Sequence, residues 1–305
     1  MVRVISSGTR IVVVMGKGGV GKTTVTAALG VHAASQGKRV LMVEAAGAER
    51  IPALFGRTGR SYAARQCAPN LYALSITAQE AIEDYVMLRL RVRTLYKLVF
   101  RNRIVGPFIN AVPGLQDLVH LGKIYHLEES TKHGRPEWDL ILFDAPSTGH
   151  GLSMLAAPQT MMAMTRTGPF HENAAVVERL FSNRQKTRLL LVANSDEMVI
   201  NETLDLYDRL EDRQDQVAGV VLNEQMEQPF QDLAAWERLR HHLDSMPEAQ
   251  KLCDKAVRRA QAQNLATDRL KEGIGLAPLG LPFLLDRDLK FSQLEILGQH
   301  LEGCL

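Results

Sequence analysis

The sequence predicts an α/β fold, a doubly wound and mostly parallel sheet carrying helical insertions. Three observations lead there. Short apolar runs recur along the 305-residue chain, at 11–15, 40–44, 71–76, 140–144, 189–193 and 217–222. Each is hydrophobic throughout rather than alternating, as befits strands covered on both faces, which is how parallel strands are used. Segments with helical character separate the runs, and parallel neighbours need such crossovers.

Taken in order, IVVVM at 11–15 opens the sheet. The alanine-rich TTVTAALGVHAASQGKR follows, closed by Gly37 in the position where a helix stops, and VLMVE at 40–44 completes one βαβ unit. LYALSI, LILFD, LLLVA and VAGVVL repeat the pattern. Two connections exceed the usual length. Residues 79–133 read as several helices inserted between strands, broken at Gly106-Pro107 and Pro113-Gly114. Residues 227–271 read as a long charged helical hairpin, with Leu233, Trp236, Leu239 and Leu243 on one side. No internal repeat or low-complexity linker divides the chain, so residues 1–305 are expected to form one domain.

Composition bounds the class. Apolar residues make up 46% and charged residues 23%, ordinary for a globular protein. A net charge of +2 offers no general argument for nucleic acid or anionic membrane. Cys67, Cys253 and Cys304 are too scattered for a disulfide framework and form no CxxC pair, which argues against a structural zinc site. The first apolar run is too short for a signal sequence. The uncharged stretch 104–116 is shorter than a membrane span and holds two prolines. The expectation is a reduced, soluble, cytoplasmic protein without a transmembrane segment.

Gly16-Lys17-Gly18-Gly19-Val20-Gly21-Lys22-Thr23, with Thr24 next, fits GxxxxGK[ST] between the first run and the helix after it. Glycines let the backbone fold around phosphate oxygens with its amides pointing inward, aided by the helix N-terminus. Lys22 would neutralise the β- and γ-phosphates of ATP, and Thr23 would ligate Mg²⁺. A chance glycine-rich turn is the alternative. Lys17 is a second ammonium close to the same phosphates. It adds repulsion within one subunit, so it needs a different anion, unless it is a solvated lysine on a loop tip. Asp144 ends LILFD and is followed by APSTGHG. An aspartate there can hold Mg²⁺ and its waters opposite Thr23, or can cap a strand end. The glycine after it can bring a backbone amide to the γ-phosphate and withdraw it after hydrolysis.

These motifs resemble those of the arsenite-pump ATPase and tail-anchored-protein-targeting ATPase family. The resemblance rests on KGGVGKTT at 17–24, FDAPSTGHGLSMLAAP at 143–158 and GVVLNE at 219–224. PGLQDLVHLGKIYHLEE and ANSDEMVINETLDLYDRL are similar to bacterial members of unassigned substrate, and the likeness covers most of the chain. The first motif belongs to a broader class of deviant P-loop dimers, which includes cell-division and partition ATPases. In that class the first lysine reaches the nucleotide of the partner subunit, with the charge chemistry of an arginine finger. The resemblance therefore implies that Lys17 acts in trans, in a homodimer or a heterodimer with a paralogous ATPase. The second motif narrows the family, although its proline falls one place earlier here, at Pro146. By the same resemblance Gly149 corresponds to the switch glycine facing the γ-phosphate. Asn223 corresponds to the asparagine that reads adenine, and APLGLPFLLD, around Pro282, to the far wall of the base pocket. On its own chemistry Asn223 suits either a donor–acceptor pair with a purine or a turn.

The family pattern breaks in two places. Where relatives carry an aspartate that orients the attacking water, this chain reads VEAAGAERIPALFG, and the position falls on Ala46. Glu44 or Glu49 is left to substitute, so hydrolysis is expected to be slow, or to depend on a partner. The cysteine cluster that binds metalloid in the arsenite pump, and the CxxC zinc clamp of targeting relatives, cannot be mapped. Three isolated cysteines also leave little room for an iron–sulfur cluster of the nitrogenase-reductase kind.

Two further patterns stay open. Arg89, Arg93, Lys97 and Arg101 form a basic stripe opposite Leu88, Val92, Leu95 and Val99, either a solvated face over a packed one or a surface for an anionic partner. MLAAPQTMMAMT at 154–165 holds Met154, Met161, Met162 and Met164, either core filler or a groove for apolar cargo. The expected function is an ATP-binding, Mg²⁺-dependent ATPase that works as a nucleotide-gated dimeric switch, with protein or membrane-protein cargo. Its location would be the cytoplasm or the membrane periphery, and nucleic acid is not an expected partner. The alternatives are a partition or cell-positioning ATPase and a hydrolysis-poor scaffold subunit.

Overall fold

The computed structural model describes residues 4–45, 49–90, 112, 114–226, 238–240, 242, 246–284 and 289–302. The strands are β1 (Ile11–Met15), β2 (Val40–Ala45), β3 (Arg65–Ala68), β4 (Leu71–Ile76), β5 (Thr131–Lys132), β6 (Arg135–Pro136), β7 (Leu140–Asp144), β8 (Thr187–Ala193), β9 (Val217–Gln225) and β10 (Leu279–Pro282). The helices are α1 (Lys22–Ser35), α2 (Arg50–Leu54), α3 (Ala78–Leu90), α4 (Leu115–Glu129), α5 (Thr148–Met164), α6 (Pro169–Phe181), α7 (Glu197–Arg209), α8 (Pro247–Ile274) and α9 (Phe291–His300).

Eight strands form one sheet in the order β10-β9-β8-β1-β7-β2-β4-β3, parallel throughout except for the antiparallel edge strand β3. β5 and β6 make a small separate hairpin. Every residue of β1, β2 and β7 is buried, so these strands can tolerate no polar side except at their carboxyl ends. From β1 the chain moves to β2 across β7, whereas from β7 it moves to β8 across β1. Two right-handed crossovers in opposite directions lie on opposite faces, which winds the sheet doubly. Accordingly α1 packs with α9, while α3, α4, α5 and α6 pack among themselves, with α7 beside α5 and α8 beside α7.

All six apolar runs are strands, with β2, β8 and β9 extending slightly beyond them. The edge strands β3 and β10 have no such run: RQCA is largely exposed, and LGLP carries a glycine and a proline that read as loop. Within 79–133 the described chain forms α3 and α4 and, at its end, the short strand β5, and within 227–271 it forms most of α8. Leu233, Trp236 and Leu243 lie outside the described residues, as do Ala46 and, of the basic stripe and its apolar counterpart, Val92, Arg93, Leu95, Lys97, Val99 and Arg101. Among the described residues no helix is long and apolar enough to cross a membrane.

Candidate functional site

The loop after β1 closes on itself because two glycines permit contacts that no other residue could make. A side chain at Gly16, φ +153°, would stand 2.2 Å from the Val192 carbonyl of β8. One at Gly21, φ +90°, would stand 2.1 Å from the Asn223 amide nitrogen. Lys22 and Thr23 are the first residues of α1, so they and the amides before them sit at the positive end of a helix. Lys22 is buried and curls into the loop, where its Nζ donates to the carbonyls of Gly16 (2.9 Å) and Lys17 (3.0 Å). Burial lowers its pKa, and Asp144 partly restores it. An ammonium held by two carbonyls in a desolvated cradle is poised to exchange them for phosphate oxygens. Gly18, Gly19 and Val20 complete the turn, and Gly18 approaches Ser147, the residue capping α5.

The acidic wall comes from the ends of β2 and β7, where Glu44 and Asp144 are register partners. Thr23 Oγ1 donates to Asp144 Oδ2 at 2.7 Å. Asp144 Oδ1 is buried without a hydrogen-bond partner, and burial raises its pKa. A desolvated carboxylate oxygen beside a threonine hydroxyl is a hard-oxygen donor set that fits Mg²⁺, which takes one or two protein ligands and fills the rest with water and phosphate. Glu44 Oε1 accepts from the Arg50 amide at the start of α2 (3.0 Å), while Oε2 is buried and unpartnered. Desolvation pushes the Glu44 carboxyl up to about 7; the amides of Ile51 and Arg50 pull it down and Asp144 adds to the rise. Glu49 is exposed, just before α2.

Lys17 points away from the cradle. Its Nζ pairs with Glu202 Oε2 of α7 at 3.0 Å, and Glu202 Oε1 accepts from the Thr148 hydroxyl at 2.8 Å. Gly149 follows Thr148 in the first turn of α5, with open space around it. The next residue, His150, reaches Asp117 of α4 at 3.5 Å, which joins the first turn of α5 to the insertion.

At the other end of the site Asn223, buried at the end of β9, donates from Nδ2 to the Val20 carbonyl at 2.9 Å. It therefore braces the glycine-rich loop through its amide nitrogen. Pro282 of β10 pairs in register with Gln225, two residues beyond Asn223, so both lie at the same edge of the sheet. Sequence reasoning missed Glu202, Asp117 and this bracing role of Asn223. Glu202 and Asp117 lie inside two stretches singled out for their likeness to relatives, which was the signal available for them. Of the methionines, Met154 and Met161 are buried, Met162 is half-buried and Met164 is exposed. Cys67 and Cys253 are free thiols on separate elements, and burial pushes the Cys67 thiol up to about 11. Cys304 lies outside the described residues.

A family model described as anion-transporting ATPase matches residues 9–169, which carry β1 through α5. Similar proteins include ATPase BagA of Mycobacterium tuberculosis, 30% identical over 224 residues that cover 71% of this chain and 65% of that protein. The arsenical pump-driving ATPase of Acidiphilium multivorum is 27% identical, covering 76% of this chain and 43% of its own length. ATPase GET3 of Komagataella phaffii is 22% identical, covering 76% and 79%. The match thus spans 65% of the mycobacterial relative and less than half of the arsenical pump-driving one.

Proposed function

Because the chain belongs to the anion-transporting ATPase family, we propose that it binds ATP with Mg²⁺ and hydrolyses it slowly as a nucleotide-gated pair of subunits. The observation that carries this reading is the divergence of the two loop lysines. Lys22 serves its own cradle, whereas the Lys17 ammonium lies outside it. One cation per cradle is then supplied from within, and the other is available to the triphosphate of a second subunit, where it cancels charge developing during phosphoryl transfer.

In this reading the loop amides and Lys22 hold the phosphates, and Thr23 and Asp144 orient the metal. When bound, Mg²⁺ would supply charge neutralisation at the phosphates. Gly149, at the start of α5, offers its amide to the γ-phosphate, and Asn223 with Pro282 walls the base. With Ala46 where relatives carry an aspartate, Glu44 takes the proton from the attacking water. It is about half ionised near neutrality, and its Oε1 is engaged by Arg50, which supports a low rate. The partner is a second copy or a paralogous ATPase, and the cargo is a protein or membrane protein in the cytoplasm. Arsenite is not proposed as cargo: Cys67 and Cys253 are separate, and the Cys67 thiol is held protonated.

Light scattering with Mg²⁺ and a non-hydrolysable ATP analogue tests the reading. The mass is expected to double for the wild type, whereas Lys17→Ala reaches the doubled mass only at a higher concentration of the analogue and its turnover falls by about a thousandfold or more. A wild type that stays monomeric at saturation overturns it. Co-sedimentation with liposomes or DNA only in the presence of ATP would instead favour a partition-type ATPase.

A further inference from the structure

Glu202 belongs to no motif of the phosphate site, yet both of its carboxylate oxygens are engaged there. Oε2 takes the Lys17 ammonium at 3.0 Å, and Oε1 takes the Thr148 hydroxyl at 2.8 Å. Three elements meet on this one group: the tip of the glycine-rich loop, the first turn of the helix that follows Asp144, and the second turn of α7. Thr148 is buried, and the capping residue Ser147 makes no side-chain bond to α5, so Glu202 helps to hold the beginning of that helix, together with the Asp117 side chain on His150.

We propose that Glu202 is a positioning residue that holds Lys17 within its own chain and competes with the partner's nucleotide for it. The proposal rests on the dimer reading above. The Glu202 carboxylate 3.0 Å from the ammonium cancels charge that Lys17 would bring to a phosphate across a subunit interface, so Lys17 acts fully on the partner's nucleotide only on release from the pair. The Thr148 bond makes this release sensitive to the switch segment. When the first turn of α5 moves, Glu202 loses its second tether and its carboxylate is free to turn away. Lys17 is thereby kept from an unproductive pairing with its own loop's phosphates, and is handed over only when a second subunit presents an anion stronger than a carboxylate. The side chains of Lys17 and Glu202 are 28% and 36% exposed, so the pair is screened by solvent and easily broken.

Two measurements on the full chain test this. Glu202→Gln keeps an acceptor for Thr148 and removes the charge that holds Lys17; Thr148→Val removes only the tether. In protein without nucleotide, the acetylation rate of the Lys17 amine, read by mass spectrometry, is expected to rise in Glu202→Gln and at high salt. The concentration of Mg²⁺ and non-hydrolysable ATP analogue that gives half-maximal dimer is expected to fall about two- to fivefold in Glu202→Gln. It should fall less in Thr148→Val, and neither substitution should have an effect in a Lys17→Ala background. Unchanged Lys17 reactivity, or an unchanged midpoint in a wild type that does dimerise, overturns the proposal. A wild type that does not dimerise removes the dimer reading itself and the handover with it; the reactivity assay then still tells whether Glu202 holds Lys17.

Discussion

Glu44 ionises at about 7 because it is buried at a strand end with one oxygen unpartnered, and the Arg50 and Ile51 amides compensate only in part. Its folded pKa lies above the ordinary glutamate value, so the folded chain binds more protons than the unfolded one between pH 4.5 and about 7. Stability from this group is therefore present at low pH and is lost as pH rises through that window. Glu44→Gln cannot ionise. Its melting temperature relative to wild type is expected to be higher at pH 8 than at pH 5, and parallel curves for the two proteins would contradict the burial argument. The same substitution tests chemistry. If Glu44 takes the proton, single-turnover hydrolysis in the wild type climbs as pH passes about 7, and Glu44→Gln is slower by about a hundredfold or more with nucleotide affinity kept. The chemistry of Asn223 suits a base-reading or a turn-forming residue, and its buried bond to Val20 shows a third use, since bracing the loop needs a donor at that spot.

At the scale of elements, the strands were legible because burial on both faces leaves little choice of residue. IVVVM and LILFD have no polar residue before the final aspartate, and both are strands with the predicted bounds. β3 and β10 were not legible, since an edge strand has one neighbour and needs no continuous apolar run. Nor does any local pattern announce that α9 packs on α1. That contact depends on Gly298, where an added Cβ would stand 2.9 Å from the Ala28 carbonyl and 3.1 Å from the His32 Cβ. Gly298→Leu is expected to push α9 off α1 and lower stability by about 1–3 kcal/mol in chemical denaturation. Nucleotide binding to the folded fraction should remain. An unaltered unfolding midpoint would mean that the two helices are not held by this close approach.

At the scale of the whole molecule, the proposed pair of subunits, in which Lys17 would serve the partner's site and Lys22 its own, predicts a distinctive outcome for mixtures. Lys17→Ala and Lys22→Ala proteins should each be nearly inactive alone. Mixed together, they are expected on the proposed reading to form dimers in which the Lys17→Ala subunit retains Lys22 and borrows Lys17 from its partner. Equal mixing is expected to recover up to about a quarter of wild-type turnover, because about half the dimers are mixed and each has one complete site. No recovery, with mixed dimers demonstrated by mass, would place Lys17 in its own subunit's site.

The sequence by itself determined the glycine-rich loop before α1, the six core strands and the aspartate opposite Thr23. Each of these depends on neighbours in the chain or on a residue type that burial and phosphate geometry leave no freedom to change. Only the tertiary structure decided what surrounds them: that Glu202 takes Lys17 and Thr148 together, that Asn223 braces the loop it faces, and that Glu44 is desolvated beside Asp144. Those pairings join residues far apart in the chain. They arise because the sheet order places the ends of β2, β7, β1, β8 and β9 along one edge, and no local pattern records which strands lie side by side.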